Sequence, residues 1–249
     1  MPGFASLLVA SGLHVASLNL CTDEYLLLLA RPGEIASVSR LAQNPAESPL
    51  WRLARAYPAN RGAIEQVINA RPTMLLTMGG GGRSTGMIAA RLGMRVVDLP
   101  FPASIDGVAA NMRAVAKALG DGRRADPWLA KLARLRATTS GSNDAIWVTG
   151  GGTSLSPGSP GAEWMALAGL KQRHLAGGRA DLETLLVRPP AVLVRSDYRR
   201  GQMSQGVRWF DHPIVRRLDA RTVATDGRAW TCAGPLMLDE VERLRQSVK

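Results

Sequence analysis

Two stretches of this sequence decide its fold: Gly62-Ala-Ile-Glu-Gln-Val-Ile-Asn-Ala-Arg-Pro-Thr-Met-Leu-Leu76 and Ala180-Asp-Leu-Glu-Thr-Leu-Leu-Val-Arg-Pro-Pro-Ala-Val-Leu-Val194. Aligned on Glu65 and Glu183, each copy has one apolar residue before the acid and two after it, then a proline and an apolar triplet. The apolar residues fall at helical spacing, so each copy predicts a helix that buries one face and leaves the glutamate outside it.

The residues predicted to form the two buried helix faces are Ile64, Val67 and Ile68 in the first copy and Leu182, Leu185 and Leu186 in the second. Pro72 and Pro190 end the helices, because proline lacks an amide hydrogen and clashes with the preceding turn. The apolar triplets are typical of strands that are covered on both faces of a parallel sheet. Because this pattern of a helix that leads into a buried strand occurs twice, it predicts two similar α/β lobes. The alternative is that any two αβ units share this pattern.

The rest of the chain predicts the same alternation. Short apolar runs predict further strands at residues 15–18, 35–38, 95–99, 145–148 and 222–224. Apolar spacing and helix-start signals predict helices at residues 23–30, 51–57, 84–92, 105–119, 126–137, 161–170 and 236–248, the first with Thr22 as its N-cap. This alternation predicts an α/β fold with doubly wound, mainly parallel sheets.

The 249 residues are enough for two lobes, each with its own core. The helix predicted at residues 126–137 is about 18 Å long at ~1.5 Å per residue, and it is the only candidate connector between the lobes. The expected division is an N-terminal segment (1–12), an N-terminal lobe (13–103), lobe-covering and connecting helices (104–140) and a C-terminal lobe (141–249).

Composition indicates a folded protein, since 46% of the residues are hydrophobic and 20% are charged. No apolar run approaches the ~20 residues of a membrane-spanning helix. The net charge of +11 raises the question of nucleic acid, but no basic run exceeds two residues. Aromatic residues are not interleaved with the basic ones, as they are in single-strand binders. We therefore expect no nucleic-acid partner.

Residues 4–10 are apolar and rich in small residues, like part of the hydrophobic region of a secretory signal peptide. The basic segment that normally precedes such a region is missing, because the first Lys or Arg is Arg31. Two interpretations stay open. Either the sequence begins inside a signal peptide, or these residues are an ordinary N-terminus that leads into the first strand.

A four-glycine loop, Gly79–Gly82, follows a predicted strand and precedes a predicted helix, a position where backbone amides attract anions. Its spacing matches neither a P-loop nor a dinucleotide-binding motif. The sequence also lacks a nucleophile elbow, a zinc-spaced cysteine pair and a histidine pair on one helix face. We expect a turn or ligand-contact loop, no enzymatic activity and no cofactor. The alternative is an α/β nucleotide-binding protein or enzyme that uses this loop.

The two cysteines follow predicted strands. Cys21 comes after the first strand, and Cys232 lies in the loop before the last helix. Open α/β sheets bind ligands at the carboxyl ends of their strands, so both cysteines could line one cleft, where they could ligate a soft metal or form a bond across the opening. We favour two unpaired thiols at element ends, because two ligands alone do not make a metal site.

Several motifs together resemble the periplasmic substrate-binding proteins of ABC importers for iron-siderophores and cobalamin, the class III family with a helical backbone. They are Val15-Ala-Ser-Leu-Asn-Leu-Cys-Thr-Asp-Glu-Tyr-Leu-Leu-Leu-Leu29, Ile35-Ala-Ser-Val-Ser39, the two glutamate-centred stretches, Asp211-His-Pro213 and Trp230-Thr-Cys-Ala-Gly-Pro235. The resemblance covers residues 13–248, and it is the order and spacing of the motifs that make it specific.

The resemblance implies two Rossmann-like lobes joined by a single α-helix, with the ligand held in the cleft between them. It implies a periplasmic, monomeric protein that moves little on closure. In the family, one surface glutamate of each lobe docks onto arginines of the transmembrane permease subunits. By position, these glutamates are Glu65 and Glu183.

The resemblance leaves the ligand open between a ferric siderophore and cobalamin. Cobalamin-binding members line the cleft with several aromatics, whereas the matching loops here contain Arg40, Ala59 and Met78, with Trp230 as the main aromatic. The arginines that as a group suit an anionic ferric chelate, through charge-assisted hydrogen bonds, are Arg40, Arg83, Arg195 and Arg199. We therefore prefer a ferric siderophore. The candidate ligand-binding residues are Cys21, Arg40, Met78, Arg83, Ser156, Arg195, Trp230 and Cys232, and we assign no catalytic or metal-ligating residue.

Overall fold

The computed structural model describes residues 12–80, 83–139, 141–149, 151–197 and 212–248, with Arg83 and Ile214 described by their backbone alone. The apolar segment at residues 4–10, Arg199, Asp211 and half of the four-glycine loop therefore lie outside the described residues, as does the side chain of Arg83. In the part of the chain that is described, no helix is long and apolar enough to cross a membrane.

Within these ranges, nine strands form two sheets in which every pair of neighbours is parallel. The first sheet has the order β3-β2-β1-β4-β5 and consists of β1 (Val15–Ser17), β2 (Ile35–Ser39), β3 (Ala59–Asn60), β4 (Met74–Met78) and β5 (Arg95–Leu99). The second has the order β7-β6-β8-β9 and consists of β6 (Asn143–Thr149), β7 (Leu170–Gln172), β8 (Val192–Asp197) and β9 (Arg221–Asp226). The predicted α/β fold with parallel sheets is confirmed.

The two sheets share one topology, since β2-β1-β4-β5 and β7-β6-β8-β9 follow the same order of chain segments. The two glutamate-centred stretches lead into β4 and β8, and these two strands occupy equivalent places in their sheets. Both strands begin with fully buried residues, as expected for strands that helices cover on both faces. The repeated sequence pattern therefore marks the same structural unit in the two lobes.

Helices cover both sheets. In chain order they are α1 (Leu20–Leu29), α2 (Trp51–Ala54), α3 (Arg83–Arg91), α4 (Ile105–Ala118), α5 (Asp126–Ala137), α6 (Pro160–Leu167), α7 (Leu182–Val187), α8 (Pro213–Arg216), α9 (Gly227–Cys232) and α10 (Met237–Val248). Sequence reasoning missed α9 and the short strands β3 and β7. Asp226 caps α9 by accepting a hydrogen bond from the amide of Arg228, and that cap was the available signal.

Some predicted helix details are wrong. The first glutamate-centred stretch forms two 3-10 turns, Ile64–Gln66 and Ile68–Ala70, because Arg71 in the left-handed region ends the segment after so few residues. In the second, Leu186 is 52% exposed, since a helix as short as α7 buries only its Leu185 fully. The N-cap of α1 is Asn19, whose Oδ1 accepts from the Thr22 amide, so the helix begins before Thr22.

The helix α5 leads from the first sheet to the second. At its start, the Arg124 guanidinium donates to both carboxylate oxygens of Glu34, at 2.5 and 2.8 Å. Further along, Lys131 forms ion pairs with Asp239 and Glu242 on α10. The connecting segment is thus anchored at one end to the first lobe and along its side to the second.

Candidate functional site

The carboxyl edges of the two sheets face each other. Ligands of open α/β sheets bind at this edge. Beyond the end of β1, α1 carries Cys21, and beyond the end of β9, α9 carries Cys232. These two residues meet, and the loop after β2 also receives hydrogen bonds from Arg228 on α9. Segments that follow β1 and β2 in the first sheet and β9 in the second are therefore in contact, and the region between the lobes beside them is the candidate site.

The two cysteines form a disulfide, with an S–S distance of 2.07 Å and a Cα–Cα distance of 5.3 Å. The prediction of two unpaired thiols is wrong, and there is no free cysteine in the chain. The physical reason is that the fold brings together two residues that are 211 positions apart in sequence. The bond crosses from one lobe to the other.

The turn after α9 is held by groups from both lobes. The indole Nε1–H of Trp164 on α6 donates to the carbonyl of Ala233 at 2.9 Å. That of Trp128 on α5 donates to the carbonyl of Pro235, also at 2.9 Å. Gly234 lies so close to α1 that a Cβ there would approach Oε2 of Glu24 to 2.7 Å. A side chain at position 234 would therefore have to displace the carboxylate of Glu24.

Two buried carboxyl groups lie beside this turn on α1. Asp23 accepts hydrogen bonds from the amide and the hydroxyl of Ser39, and burial raises its pKa from 3.8 to about 7, although hydrogen bonds from Ser17 and Ser39 oppose the shift. Burial also raises the pKa of Glu24 well above its usual range, with the charge of Asp23 adding to the shift. Both acids therefore take up protons more readily in the folded protein than in the unfolded chain.

This pair makes stability depend on pH. In the folded state the raised pKa of Asp23 keeps its proton bound between about pH 4 and pH 7, where the unfolded chain has lost it. Stability therefore falls as pH rises through this window, by up to about 1.4 kcal/mol per pH unit for one group. We expect the free energy of unfolding, measured with urea, to be larger at pH 5 than at pH 8. In Asp23→Asn, the difference between the two values should be smaller.

The matched control for this prediction is Asp219→Asn, because Asp219 is exposed. It should keep the pH dependence of the original chain. An equal slope in Asp23→Asn and in the unsubstituted protein would contradict the assignment of the effect to Asp23.

The aromatic candidate, Trp230, lies in the core. Its side chain is 9% exposed, its Nε1–H donates to Oγ1 of Thr225, and its ring lies 5.2 Å from that of Trp147. Trp147 belongs to β6, and Trp230 belongs to α9, which follows β9. The contact of Trp147 with Trp230 was not predicted, because an apolar strand pattern does not indicate which residues of distant segments pack together.

The arginine candidates differ in their surroundings. Arg40 is exposed directly after β2, at the carboxyl edge of the first sheet. Arg195 is half-buried in β8 and forms an ion pair with Asp197 at 2.9 Å. Arg228, which sequence reasoning missed, donates to the carbonyls of Pro45 and Ser48 in the opposite lobe, at 2.7 and 3.3 Å. Arg40 is thus an exposed cation at this edge, and Arg61, directly after β3, is another.

The remaining candidates are dispersed. Met78 ends β4 with 7% of its side chain exposed, and Ser156 is exposed in the loop between β6 and α6. Glu65 and Glu183 are both exposed. Of the predicted ligand-binding residues, Cys21 and Cys232 are bonded to each other. The ligand-binding and docking roles of these residues stay predictions.

The described half of the glycine loop has its amides in use. Gly79 donates to the carbonyl of Leu99, and Gly80 donates to Oδ2 of Asp98 at 2.9 Å. A carboxylate at this position disfavours a phosphate group. Within the described residues, no group of three His, Cys, Asp or Glu side chains is placed to hold a metal ion.

The chain has the fold of periplasmic binding proteins. It matches a periplasmic heme-binding protein from Pseudomonas aeruginosa with a TM-score of 0.64 and 17% identity, over 93% of this chain and 91% of that one. It matches a periplasmic heme-binding protein from Roseiflexus sp. RS-1 with a TM-score of 0.68 and 19% identity, over 94% and 97%. The match to a periplasmic vitamin B12 binding protein from Vibrio cholerae has a TM-score of 0.63 and 18% identity, over 94% and 96%. No family model and no curated protein matches the sequence.

Proposed function

We propose that this chain is the solute-binding component of an ABC importer and that it binds its ligand in the crevice between the lobes without catalysing a reaction. The observation that carries this proposal is the fold shared with periplasmic binding proteins along more than nine-tenths of the chain. The carboxyl edges of both sheets meet at one crevice, and this is the place where open α/β sheets bind ligands.

The disulfide supports a location in the periplasm. Such bonds persist in oxidising compartments and are rare in the cytosol, where thiols are kept reduced. Both cysteines of the chain are used in the single bond between the lobes. A periplasmic protein of this kind acts as a monomer that docks onto the transmembrane subunits of its permease through Glu65 and Glu183.

The ligand we propose is an anionic metal chelate, with a ferric siderophore preferred and cobalamin second. Arg40 supports an anionic ligand, because it is exposed at the carboxyl edge of the first sheet and, within the described residues, its guanidinium forms no ion pair that would neutralise it. The buried position of Trp230 leaves fewer aromatic surfaces for a corrin ring. Structural neighbours of this chain are heme- and vitamin B12-binding proteins, so heme belongs in the same test.

Calorimetric titration of the purified protein with ferric siderophores, heme and cobalamin tests the proposal. We expect saturable one-to-one binding of one chelate. Arg40→Glu should weaken an anionic chelate by about tenfold to a hundredfold, since it removes one charge-assisted hydrogen bond.

The matched control is Arg113→Glu, because Arg113 is exposed on α4 and the charge change is the same. Its affinity should stay within about twofold, as for a surface charge outside the site. The absence of saturable binding to any of these chelates, together with binding of ATP or NAD, would replace this proposal with the nucleotide-binding alternative.

A further inference from the structure

The disulfide is one of several contacts that converge on a single turn, Cys232–Leu236. Cys232 is bonded to α1, Ala233 and Pro235 accept from the indoles of α6 and α5, and Gly234 packs against Glu24. These contacts come from the first lobe, from the second lobe and from the connecting helix. The turn is therefore a point at which all three parts of the molecule are joined.

Two further polar contacts between the lobes are noncovalent, in addition to the apolar cluster that both lobes share. On one side, Arg228 donates to two backbone carbonyls of the loop after β2. On the other, the amide of Ile105 at the start of α4 donates to Oε2 of Glu163 on α6, at 2.7 Å. Each hydrogen bond contributes about 0.5–3 kcal/mol and can open and close reversibly. The disulfide is covalent and keeps its two Cα atoms at 5.3 Å.

The bond also lies between these two sides. In the first sheet β1 is the central strand, with β2 and β3 on one flank and β4 and β5 on the other. Cys21 follows β1, the Arg228 contacts lie beyond β2, and Ile105 follows β5. The covalent bond is thus central, and the two hydrogen-bonded contacts lie on either side of it.

The two cysteines are half-buried, so a small thiol can reach the bond. In the exchange, a dithiol transfers two electrons and two protons. The S–S bond breaks, Cys21 and Cys232 become thiols, and the dithiol becomes a disulfide. The reverse exchange with an oxidised dithiol restores the bond.

We infer that the Cys21–Cys232 disulfide is a redox-sensitive latch that fixes the pivot between the two lobes, so that its reduction releases the Cys232–Leu236 turn from α1. The bond restricts which motions the crevice can make, beyond any contribution to global stability. This inference concerns the geometry of the lobes and does not rest on the identity or the binding of a ligand.

Amide hydrogen exchange of the full chain without ligand, before and after treatment with dithiothreitol, tests the latch. We expect exchange to rise by about tenfold or more at residues 20–24 and 232–236 on reduction. The loop at residues 45–48 should exchange faster as well, because its Arg228 contacts open more often. The central strands β4 and β8 should keep their protection. Cys21→Ser/Cys232→Ser should behave like the reduced protein and show no response to dithiothreitol.

A second measurement separates the tether from the chemistry of the sulfur atoms. After reduction, a short crosslinker that joins both thiols should restore slow exchange, whereas alkylation of each thiol by iodoacetamide should not. Equal exchange in the oxidised, reduced and alkylated proteins would overturn the latch. Detection of two free thiols per chain before reduction would also overturn the latch. A uniform loss of protection that includes β4 and β8 would overturn it as well, because the bond would then stabilise the whole fold and not the pivot in particular.

Discussion

Charge reversal of both Glu65 and Glu183 to lysine is expected to abolish delivery of a bound chelate to the permease while ligand affinity stays within about twofold. Each glutamate is exposed, and each opens the segment that leads into an equivalent strand, β4 or β8. A crossover segment starts at the carboxyl edge of its sheet, which is also the edge of the crevice. We therefore expect the two acids to contact a partner that spans both lobes.

The expected loss of delivery follows from the energetics of charge pairs at protein interfaces. Loss of one partner of a close pair costs about 2–5 kcal/mol, which corresponds to at least about a 30-fold loss for each lobe. Uptake of the chelate identified by titration, measured in cells that carry the substituted chain, checks the result. Each single reversal should give a partial loss.

Asp219→Lys is the matched control, because it reverses an exposed acid that belongs to neither glutamate-centred stretch. It should leave uptake unchanged. If the double reversal lowered ligand affinity as strongly as uptake, the glutamates would belong to the ligand site and not to a docking surface.

The second large effect concerns the anchor of the connecting segment. Arg124→Ala is expected to lower the free energy of unfolding by about 3–5 kcal/mol, because it leaves a buried carboxylate without its partner. The Glu34 side chain is 4% exposed, and the Arg124 side chain is 12% exposed. The hydrogen bonds from Arg124 hold the pKa of Glu34 below its usual range, so the pair is charged at neutral pH.

Urea denaturation at pH 7 measures this change, with Arg123→Ala as the control. Arg123 is the preceding residue, but its side chain is 87% exposed and pairs with Asp121 at the surface. The control should change stability by no more than about 0.5 kcal/mol. Equal effects of the two substitutions would show that the Glu34–Arg124 pair does not anchor the segment.

Much of the fold was predictable from local pattern. Strand β5 and helix α5 have the predicted bounds, residues 95–99 and 126–137, because apolar runs and a proline at the first helical turn act over a few neighbouring residues. The short elements were missed for a related reason. β3 has two residues and β7 has three, and such lengths carry no periodicity of their own.

The candidate site was predictable only in part. Cys21 and Cys232 were expected beyond the carboxyl ends of strands, and they lie in the helices that follow β1 and β9. Arg228 and Glu24 were not found, because their partners lie in the other lobe. Trp230 was expected to face a ligand, but its neighbours Thr225 and Trp147 hold it in the core.

The sequence by itself determined that two lobes repeat one α/β plan, since the order of apolar residues, acid and proline is written twice and acts through local geometry. It also determined which glutamates stay outside the packed faces. Only the tertiary structure decided that Cys21 and Cys232 are bonded, because the approach of residues 211 positions apart depends on how the lobes pack. For the same reason, the turn that follows Cys232 became a junction between the lobes, which no local pattern in the sequence could indicate.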